Sequence, residues 1–519
     1  MALSQYPFKG GIPTGSTAAR PSSPAQGDVY YNGQLGLLEI YDGTNWVPCS
    51  APAGIPTVSG VDVGTSRAYT SGAITITFVA GTNGGAPYGY TGTATSGALT
   101  YTTGATSLTT ATLVVGGPGV YSLSGTAYNG FGTSPGSIPA NVTVTTVPQA
   151  PTIGTASTSS VTSDITVTWT LNNDGGKNIS SITITPYLNG TTAQTSQTAA
   201  TTSSTSHAFT GLSANSSYTF KIKATNANGT SLESSASNSV TVPIMAEYLV
   251  VAGGAGAGTS NGAAGGGAGG MKTGSLAVSS GSTHTITIGG GGAGTSSPSS
   301  RGGNGAGSQF SSITTTGGGG SGSEGNGTIR QGENGGSGGG SVRSNYSGGS
   351  GVSGEGNNGG MNVNDGSPHY AGGGGGGKGA AGQDGTAGGN GAGGIGAQSS
   401  ITGTATYYAG GGGAGYYNNG SGQNDGGSGG SGGGAMGGAN PSDGRSRNGS
   451  ANTGGGGGGH GITGQTGGNG GSGIVIVALP SAYSFSSIGG GLTYTLDTSS
   501  RNGIKIYKFT GGTGSVTVA

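Results

Sequence analysis

Cysteine, charge and aromatic side chains are all scarce in this sequence. Among 519 residues there is one cysteine, Cys49, while charged residues make up 6% and aromatic residues 6%. A single cysteine excludes an intrachain disulfide framework and provides no ligand set for a thiolate metal site. The 16 basic and 16 acidic side chains cancel, whereas phosphate recognition needs clustered Lys and Arg. We therefore expect no metal and no nucleic-acid partner, and a stability that comes from backbone pairing, packing or oligomerisation.

Long apolar runs are also missing. No stretch approaches the roughly 18 to 20 consecutive apolar residues of a membrane span. The start, MALSQYPFKG, lacks the basic beginning and apolar core of a secretory signal. We expect a protein that is made in the cytoplasm and stays soluble there until it is assembled or released.

Catalytic and cofactor motifs are absent from the sequence. The four histidines lie far apart, and none has a neighbouring nucleophile motif: His207, His284, His369 and His460. The nearest approaches to a phosphate-binding loop are GGMKTG around Lys272 and GGKGA around Lys378, and neither has Gly-Lys-Ser/Thr. We expect no enzyme activity, no catalytic residue and no cofactor.

Glycine is what the sequence has in excess. Of 127 glycines, 31 precede residue 250, 89 lie between Gly253 and Val477, and 7 follow. The chain therefore has at least two compositional regimes, which need separate physical interpretations.

The first 51 residues predict a small set of β-hairpins. In RPSSPAQGDVYYNGQLGLLEIYDGTNWVPC, the apolar bursts Val29 to Tyr31 and Leu37 to Tyr41 are separated by NGQLG, and a second turn leads to Trp46. We expect Tyr30, Tyr41 and Trp46 to hold these hairpins together. Because a fold this small is marginal alone, docking on a partner and a self-contained hairpin both remain open.

Two long stretches of the next part resemble each other. ITITFVAGTNGG from Ile74 matches ITVTWTLNNDGG from Ile165, and YSLSGTAYNGFGTS from Tyr121 matches YTFKIKATNANGTS from Tyr218 without a gap. The offset changes from 91 to 97 between the two blocks, which is a difference in loop length. This pattern predicts a tandem duplication of one β domain, at residues 52–147 and 148–243.

Apolar and polar residues alternate with period two in these blocks, as in a sandwich of antiparallel sheets. The second copy is similar to fibronectin type III domains, in which a buried Trp of an early strand packs beside a tyrosine corner. Trp169 and Tyr218 match those roles, and Phe78 and Tyr121 would match them in the first copy. The resemblance covers about residues 52 to 243 and implies a fold and a spacer function, not a chemistry.

Residues 244–519 predict a glycine-rich domain framed by β-strands. EYLVVAGGAGAG opens the glycine region, GIVIVALP closes it, and the tail LTYTLDTSSRNGIKIYKFTGGTGSVTVA predicts three strands. Glycine runs lie between these ends, at 317–320, 372–377, 410–413 and 454–459. Ordering a glycine costs at least the roughly 1 to 2 kcal/mol of a typical backbone residue and buries no side chain. The ordered state is still favoured if the runs pack as left-handed polyglycine II helices with three residues per turn, because only glycine lets backbones approach so closely. The predicted fold is all-β, multidomain and elongated.

Segments between the glycine runs carry most of the larger side chains of this region. Aromatic rings on short loops supply contact area at low entropy cost, as recognition surfaces do. The candidates for receptor binding are Tyr346, His369, Tyr370, Tyr407, Tyr408, Tyr416, Tyr417, Arg445 and Arg447. The alternative for each tyrosine is a cap over exposed backbone at the end of a sheet, and for each arginine or histidine a solvated surface position.

The order of hairpin module, tandem fibronectin-like domains and glycine-rich end resembles bacteriophage tail-fibre and adhesin proteins. RPSSPAQGDVYYN with LEIYDGTNWV looks like a short module near the ends of phage tail fibres, and EYLVVAGG through GIVIVALP to the tail is similar to glycine-rich domains of phage structural proteins. In the adhesins at the tips of some myovirus long tail fibres, such segments pack as a polyglycine sandwich whose loops select the host receptor.

This resemblance implies a virion protein of the tail fibre or fibre tip that is assembled in the host cytoplasm. Its N-terminal module would attach to a tail, baseplate or other fibre protein, and the glycine-rich loops would bind a host receptor, either a glycan or an outer-membrane protein. Fibres of this kind are often homotrimers. Three alternatives remain open: a capsid decoration or head-fibre protein with a non-specific adhesive surface, a depolymerising tailspike enzyme, and a secreted bacterial matrix protein.

Overall fold

The computed structural model describes residues 13–34, 37–41, 43–48, 52–160, 162–259, 261–344, 346–363, 369–386, 389–418, 426–438, 447–462 and 464–519. Over these ranges the chain is all-β and multidomain, as predicted, with 35 strands, two short 3-10 helices at Thr17–Ala19 and Gly327–Arg330, and no α-helix. No helix in this described part has the length and apolar character needed to cross a membrane. Two compact units are present: Met1–Ser157 with Ile165–Thr210 and Ser216–Val240, and Thr158–Asp164 with Gly211–Asn215 and Thr241–Ala519.

The first unit begins with a four-stranded sheet in the order β1, β2, β3, β4. The strand bounds are Thr14–Gly15, Val29–Asn32, Leu37–Tyr41 and Trp46–Pro48. The predicted hairpins are confirmed, since β2 pairs antiparallel with β3 and β3 with β4. The Trp46 ring centroid lies 5.7 Å from that of Tyr30 and 5.6 Å from that of Tyr41. The sequence did not predict β1, which joins β2 in parallel.

Strands β5 to β12 form the first sandwich of the same unit. They are Thr57–Asp62, Gly72–Val79, Gly89–Ser96, Leu99–Thr102, Thr110–Val115, Gly119–Asn129, Gly132–Thr133 and Ala140–Val144. One sheet has the order β5, β6, β9, and the other has the order β11, β10, β7, β8 with β12 also paired to β10. The core between the sheets contains Ile76, Phe78 and Leu123, all almost fully buried.

Strands β13 to β21 form the second sandwich. They are Thr152–Thr158, Ile165–Thr170, Ser181–Leu188, Thr192–Ala193, Gln197–Thr198, Ser206–Phe209, Ser217–Asn226, Gly229–Thr230 and Val240–Thr241. A three-stranded sheet has the order β13, β14, β18, and a six-stranded sheet is centred on β15 and β19. This arrangement repeats that of the first sandwich, so both predicted β-sandwiches are present.

The two cores also use the residues that the repeat aligns. Phe78 is 2% exposed and Trp169 is 4% exposed, on corresponding strands of the two sandwiches. The matching tyrosines, Tyr121 and Tyr218, are buried as well. The Tyr121 hydroxyl donates to the carbonyl of Gly117, 3.0 Å away and four residues upstream, which is the geometry of a tyrosine corner.

A buried hydrogen-bond cluster joins the two sandwiches within the first unit. Asn228 Nδ2 donates to Thr145 Oγ1 at 2.7 Å, and Asn226 Nδ2 donates to the Thr146 carbonyl at 2.9 Å. The Ser66 amide donates to the Asn228 carbonyl from the other side. Because both asparagines are buried, breaking these bonds would leave polar groups without partners.

The second unit is built on a pair of five-stranded sheets. Its strands β22 to β35 are Ile244–Val251, Met271–Val278, Thr283–Thr287, Ser308–Phe310, Ile313–Thr315, His369–Ala371, Ala397–Ser399, Thr406–Tyr408, Tyr416–Asn418, Ile474–Pro480, Phe485–Ile488, Thr493–Asp497, Ile504–Gly511 and Thr513–Val518. The first sheet has the order β23, β22, β31, β34, β33, and the second has β26, β25, β24, β35, β32. A core that includes Val250, Phe310, Val477 and Phe509 lies between them. The two sheets are the frame that the apolar segments at both ends of the glycine region predicted.

In the sequence, two neighbouring strands of this frame bracket the glycine-rich stretch, which also contains the frame strands β23 to β26. Strand β22 ends at Val251 and pairs antiparallel with β31, which begins at Ile474. The first sheet packs its other face, which includes Leu249 and Ile476, against Ile401 and Tyr408. These two side chains belong to the hairpin formed by β28 and β29 and the turn between them.

Candidate functional site

The run Gly410–Gly413 illustrates how the glycine segments are ordered. The six amides from Gly410 to Gly415 donate in turn to the carbonyls of three neighbouring segments. The first and fourth amides donate to Gly432 and Ala435, the second and fifth to Gly394 and Gly391, and the third and sixth to Gly266 and Ala263. The same neighbour returns after every third residue, as expected of a helix with three residues per turn. None of these four glycines has a positive φ. The segments therefore have the predicted polyglycine II packing, and each is called a rod below.

The rod 409–415 also accepts bonds from three further rods. The donors are the amides of Gly375, Lys378, Gly427, Gly430, Gly456 and Gly459. Every amide from 410 to 415 and every carbonyl from 409 to 414 is thereby hydrogen-bonded to another rod. Six neighbours thus satisfy the backbone of one rod without any side chain, which removes the cost of burying unpaired peptide groups.

The rods lie too close together for side chains on most of their faces. A Cβ added to Gly412 would lie 1.9 Å from the carbonyl oxygen of Gly457, and one added to Gly411 would lie 2.0 Å from that of Gly375. Both neighbours are backbone atoms of other rods, which cannot rotate away as a side chain could. The array is consequently stiff, and its larger side chains are found where rods end.

The rod 409–415 separates two of the tyrosine pairs. Tyr408 precedes this rod and Tyr416 follows it, and at about 3.1 Å per residue the rod holds their backbones about 25 Å apart. We call the end with Tyr408 and the β28–β29 hairpin the frame end. The other end, with β30 and its partner strand β27, is called the loop end. The structure distributes the candidate residues over both ends.

Tyr370 and Tyr417 come together at the loop end. They are directly opposite each other on β27 and β30, with ring centroids 6.1 Å apart, and both are partly exposed. The guanidinium carbon of Arg343 lies 4.5 Å from the centroid of the Tyr370 ring, within cation–π range. Arg343 also forms an ion pair with Glu324. Its φ of 66° is unusual for a residue other than glycine, so this arginine is held by its contacts and not by a relaxed backbone.

A second arginine and tyrosine pair lies beside the first. The guanidinium carbon of Arg330 is 5.8 Å from the centroid of the Tyr346 ring. Arg330 Nε donates to the carbonyl of Gly325 at 2.7 Å. Glu324, which pairs with Arg343, lies in the same loop as Arg330. The loop end therefore carries Tyr346, Tyr370 and Tyr417 on one contiguous cluster, called the tyrosine–arginine cluster.

The other candidates have different surroundings. Tyr408 and Tyr416 are 7% and 6% exposed, so both rings are buried in the domain. Burial also raises the pKa of Tyr408. Tyr407 is 40% exposed, but it lies at the frame end. Arg447 is buried, with its guanidinium over the backbone of Gly438.

Two candidates cannot be placed as side chains. His369 is the first residue of β27, where its backbone pairs with Asn418, and its side chain lies outside the described residues. Arg445 lies wholly outside the described residues. Arg330 and Glu324 cannot be recognised as part of the cluster from the sequence, because neither residue type nor spacing distinguishes them from solvated charges.

Six acidic or amide side chains that the sequence did not predict to be structural complete the backbone hydrogen bonding of neighbouring rods. In each case the side-chain oxygen accepts a bond from the amide of a neighbouring rod: Asn304, Asn334, Asn358, Asp384, Asn448 and Asn469. Each of the six is followed by glycine. That dipeptide is a signal that could have found them, although it also predicts turns.

A polar cluster around Glu355 lies at the frame end. Glu355 is 5% exposed and accepts bonds from Lys272 Nζ at 2.8 Å and the Thr316 amide at 2.6 Å. Burial acts to raise the pKa of Glu355, but these bonds outweigh it and hold the pKa below its ordinary value. Burial lowers the pKa of nearby Lys378, whose Nζ donates to the Gly354 carbonyl. Among the residues that the structure describes, no group of His, Cys, Asp and Glu could hold a metal ion.

Comparison with known proteins identifies two parts of the chain. Residues 149–240 match the model of the fibronectin type III domain, and residues 230–480 match that of a glycine-rich domain. No curated protein gives a significant match.

Two solved structures are similar to the chain. A crystal structure of consecutive domains from titin is 21% identical, with 40% of this chain and 73% of that chain covered and a TM-score of 0.22. A crystal structure of the FN1-FN3 domains of chicken CNTN1 is 17% identical, with 40% and 76% covered and a TM-score of 0.20. The family matches show that the chain contains a fibronectin type III domain and a glycine-rich domain, a make-up that indicates an adhesive or structural protein.

Proposed function

We propose that the chain is a structural protein of a bacteriophage virion, a tail fibre or fibre-tip adhesin that attaches to the host cell surface through the loop end. The observation that carries this proposal is the tyrosine–arginine cluster at the end of a stiff array of rods. Tyr370 and Tyr417 are held by strand pairing and Tyr370 also by Arg343, so little rotamer freedom remains to be lost on binding.

The remaining parts have consistent roles in this proposal. The N-terminal sheet is the attachment point to a tail, baseplate or other fibre protein. The two sandwiches, joined by Asn226 and Asn228, act as a spacer. In this proposal the protein works without enzymatic activity, cofactor or nucleic acid. It assembles in the host cytoplasm as a homo-oligomer, with a trimer as the proposed form, and acts as part of the virion.

The experiment compares particles that carry three variants of the full chain. Tyr370→Ala and Tyr417→Ala each remove an aromatic ring from the loop end, and Tyr407→Ala removes a partly exposed ring from the frame end. We expect the two loop-end variants to assemble into particles that adsorb to host cells at least tenfold more slowly, because each loses a central aromatic contact worth about 2 kcal/mol or more. Tyr407→Ala should adsorb normally.

Equal adsorption of all three variants would contradict the proposal. The same particles also test the alternative of a capsid decoration or head-fibre protein. A tag at the N terminus should be found on the tail, whereas a tag on the head with adsorption unaffected by the loop-end variants would favour the alternative.

A further inference from the structure

Three arginines lie in or beside the loops of the tyrosine–arginine cluster, and two of them are neutralised. Arg301 pairs with Glu333 at 2.8 Å, and Arg343 pairs with Glu324. Arg330 has no carboxylate partner within ion-pair distance among the residues that the structure describes. Within the described part of the chain, the cluster therefore has one positive charge without a carboxylate partner.

Arg330 is held in place although it has no ion-pair partner. Its Nε donates to the Gly325 carbonyl at 2.7 Å and approaches the Glu324 carbonyl at 3.4 Å. It is the last residue of the 3-10 helix Gly327–Arg330, and its guanidinium lies near the ring of Tyr346. The two terminal nitrogens have no hydrogen bond to any described residue. The side chain is thus fixed through Nε, while its forked end stays available.

A fixed guanidinium with free terminal nitrogens is suited to one class of ligand group. Its planar fork matches carboxylate and phosphate oxygens, which it can bind through two parallel charge-assisted hydrogen bonds. The partly exposed rings of Tyr346, Tyr370 and Tyr417 add apolar contact area beside it. Anchoring through a backbone carbonyl and a ring lowers the entropy lost when the anion binds.

We propose that Arg330, together with Tyr346, binds an anionic group, carboxylate or phosphate, on a saccharide of the host surface. This inference rests on the proposed function, because it names the ligand class of the same loop end. It gives Arg330 a specific role that Arg301 and Arg343, which are already paired, do not have.

The test uses the purified full-length protein and calorimetric titration with three probes. Trigalacturonic acid supplies carboxylates, glucose 6-phosphate supplies a phosphate, and maltotriose is the neutral comparison. We expect one of the anionic probes to bind at least tenfold more tightly than maltotriose, and the stronger of the two to identify the anion. Arg330→Gln should weaken that binding about tenfold or more, as expected when a charge-assisted hydrogen bond is lost. Arg330→Lys, which keeps the charge and loses the fork, should lose part of the affinity.

Lys505→Gln, which removes the same charge from β34 in the frame, is the matched control and should bind like the unmodified protein. Unchanged affinity in Arg330→Gln, equal affinity for maltotriose, or no binding of either anionic probe would overturn the inference. If Arg330→Gln does not fold, Arg330→Lys and the preference of the unmodified protein for anionic over neutral probes decide it. A failure here with slowed adsorption of the Tyr370 and Tyr417 variants would leave the proposed function standing.

Discussion

Replacing Gly412 by alanine should destabilise the rod array, because this glycine lies at the centre of six neighbouring rods. The added Cβ would lie 1.9 Å from the Gly457 carbonyl oxygen, whereas ordinary contact begins near 3.4 Å, so one rod must move by about 1.5 Å. That movement would lengthen the bonds that Gly456 and Gly459 donate, both now 2.9 Å, beyond hydrogen-bonding range. Two buried amides without partners cost about 1 to 3 kcal/mol each. This cost exceeds the stabilisation of roughly 0.4 to 1 kcal/mol that alanine gives by reducing the conformational entropy of the unfolded chain. We expect a net loss of about 1 to 5 kcal/mol.

Thermal unfolding and amide hydrogen exchange measure this effect. A loss of this size should lower the Tm of the glycine-rich domain on the order of 10 °C, and exchange should accelerate in peptides that cover the rods 409–415 and 454–461. Gly290→Ala is the control, since no atom lies within 4 Å of its added Cβ and its φ is not positive. It should leave stability unchanged or raise it by up to about 1 kcal/mol. Equal unfolding temperatures of Gly412→Ala and Gly290→Ala would show that close backbone packing does not exclude a side chain at position 412.

Two further changes test the frame end. Tyr408→Ala should lower the free energy of unfolding by about 3 to 5 kcal/mol, since it leaves a cavity against Ile401 and the frame. Tyr407→Ala should lower it by less than about 1 kcal/mol. Denaturant titration measures both losses, and equal losses would contradict the assignment of Tyr408 to the core. Because the pKa of Glu355 is lower in the folded protein than in the unfolded chain, its contribution to stability is fully present above a pH of about 4.3 and is lost as the pH falls below that value. The Tm of Glu355→Gln should therefore be lower than that of the unmodified protein at neutral pH, and the difference in Tm should shrink in acid. A difference that does not change with pH would argue against stabilisation by the ionised Glu355 carboxylate.

Much of the architecture followed from local sequence patterns. Alternation of apolar residues, turn dipeptides and the aligned repeats predicted the hairpins around Trp46 and both sandwiches. The burial of Phe78 and Tyr121 confirmed that the first sandwich uses the core positions of the second. These predictions succeeded because period-two patterning specifies which face of a strand is buried before any partner is known. The helical packing of glycine also followed from composition, since runs without side chains can be ordered only by backbone bonds to other runs.

The placement of the tyrosines and arginines did not follow from the sequence. Tyr407, Tyr408, Tyr416 and Tyr417 flank the same rod and look equivalent in the sequence, yet one pair lies at the frame end and the other at the loop end. A rod of glycines carries no side-chain pattern that specifies its neighbours. Backbone hydrogen bonds therefore decide which rods adjoin and which loops meet. These bonds join residues about two hundred positions apart, such as Ala255 and Gly457.

Local sequence patterns were sufficient to specify the kind of structure: two β-sandwiches, a strand frame and an array of glycine rods. The tertiary fold was needed to show that Tyr370 and Tyr417 share a surface with Arg343, and that Arg330 has no ion-pair partner among the described residues. Local patterns fix the conformation of each segment, whereas the order in which side-chain-free segments pack depends on the complete set of long-range backbone bonds.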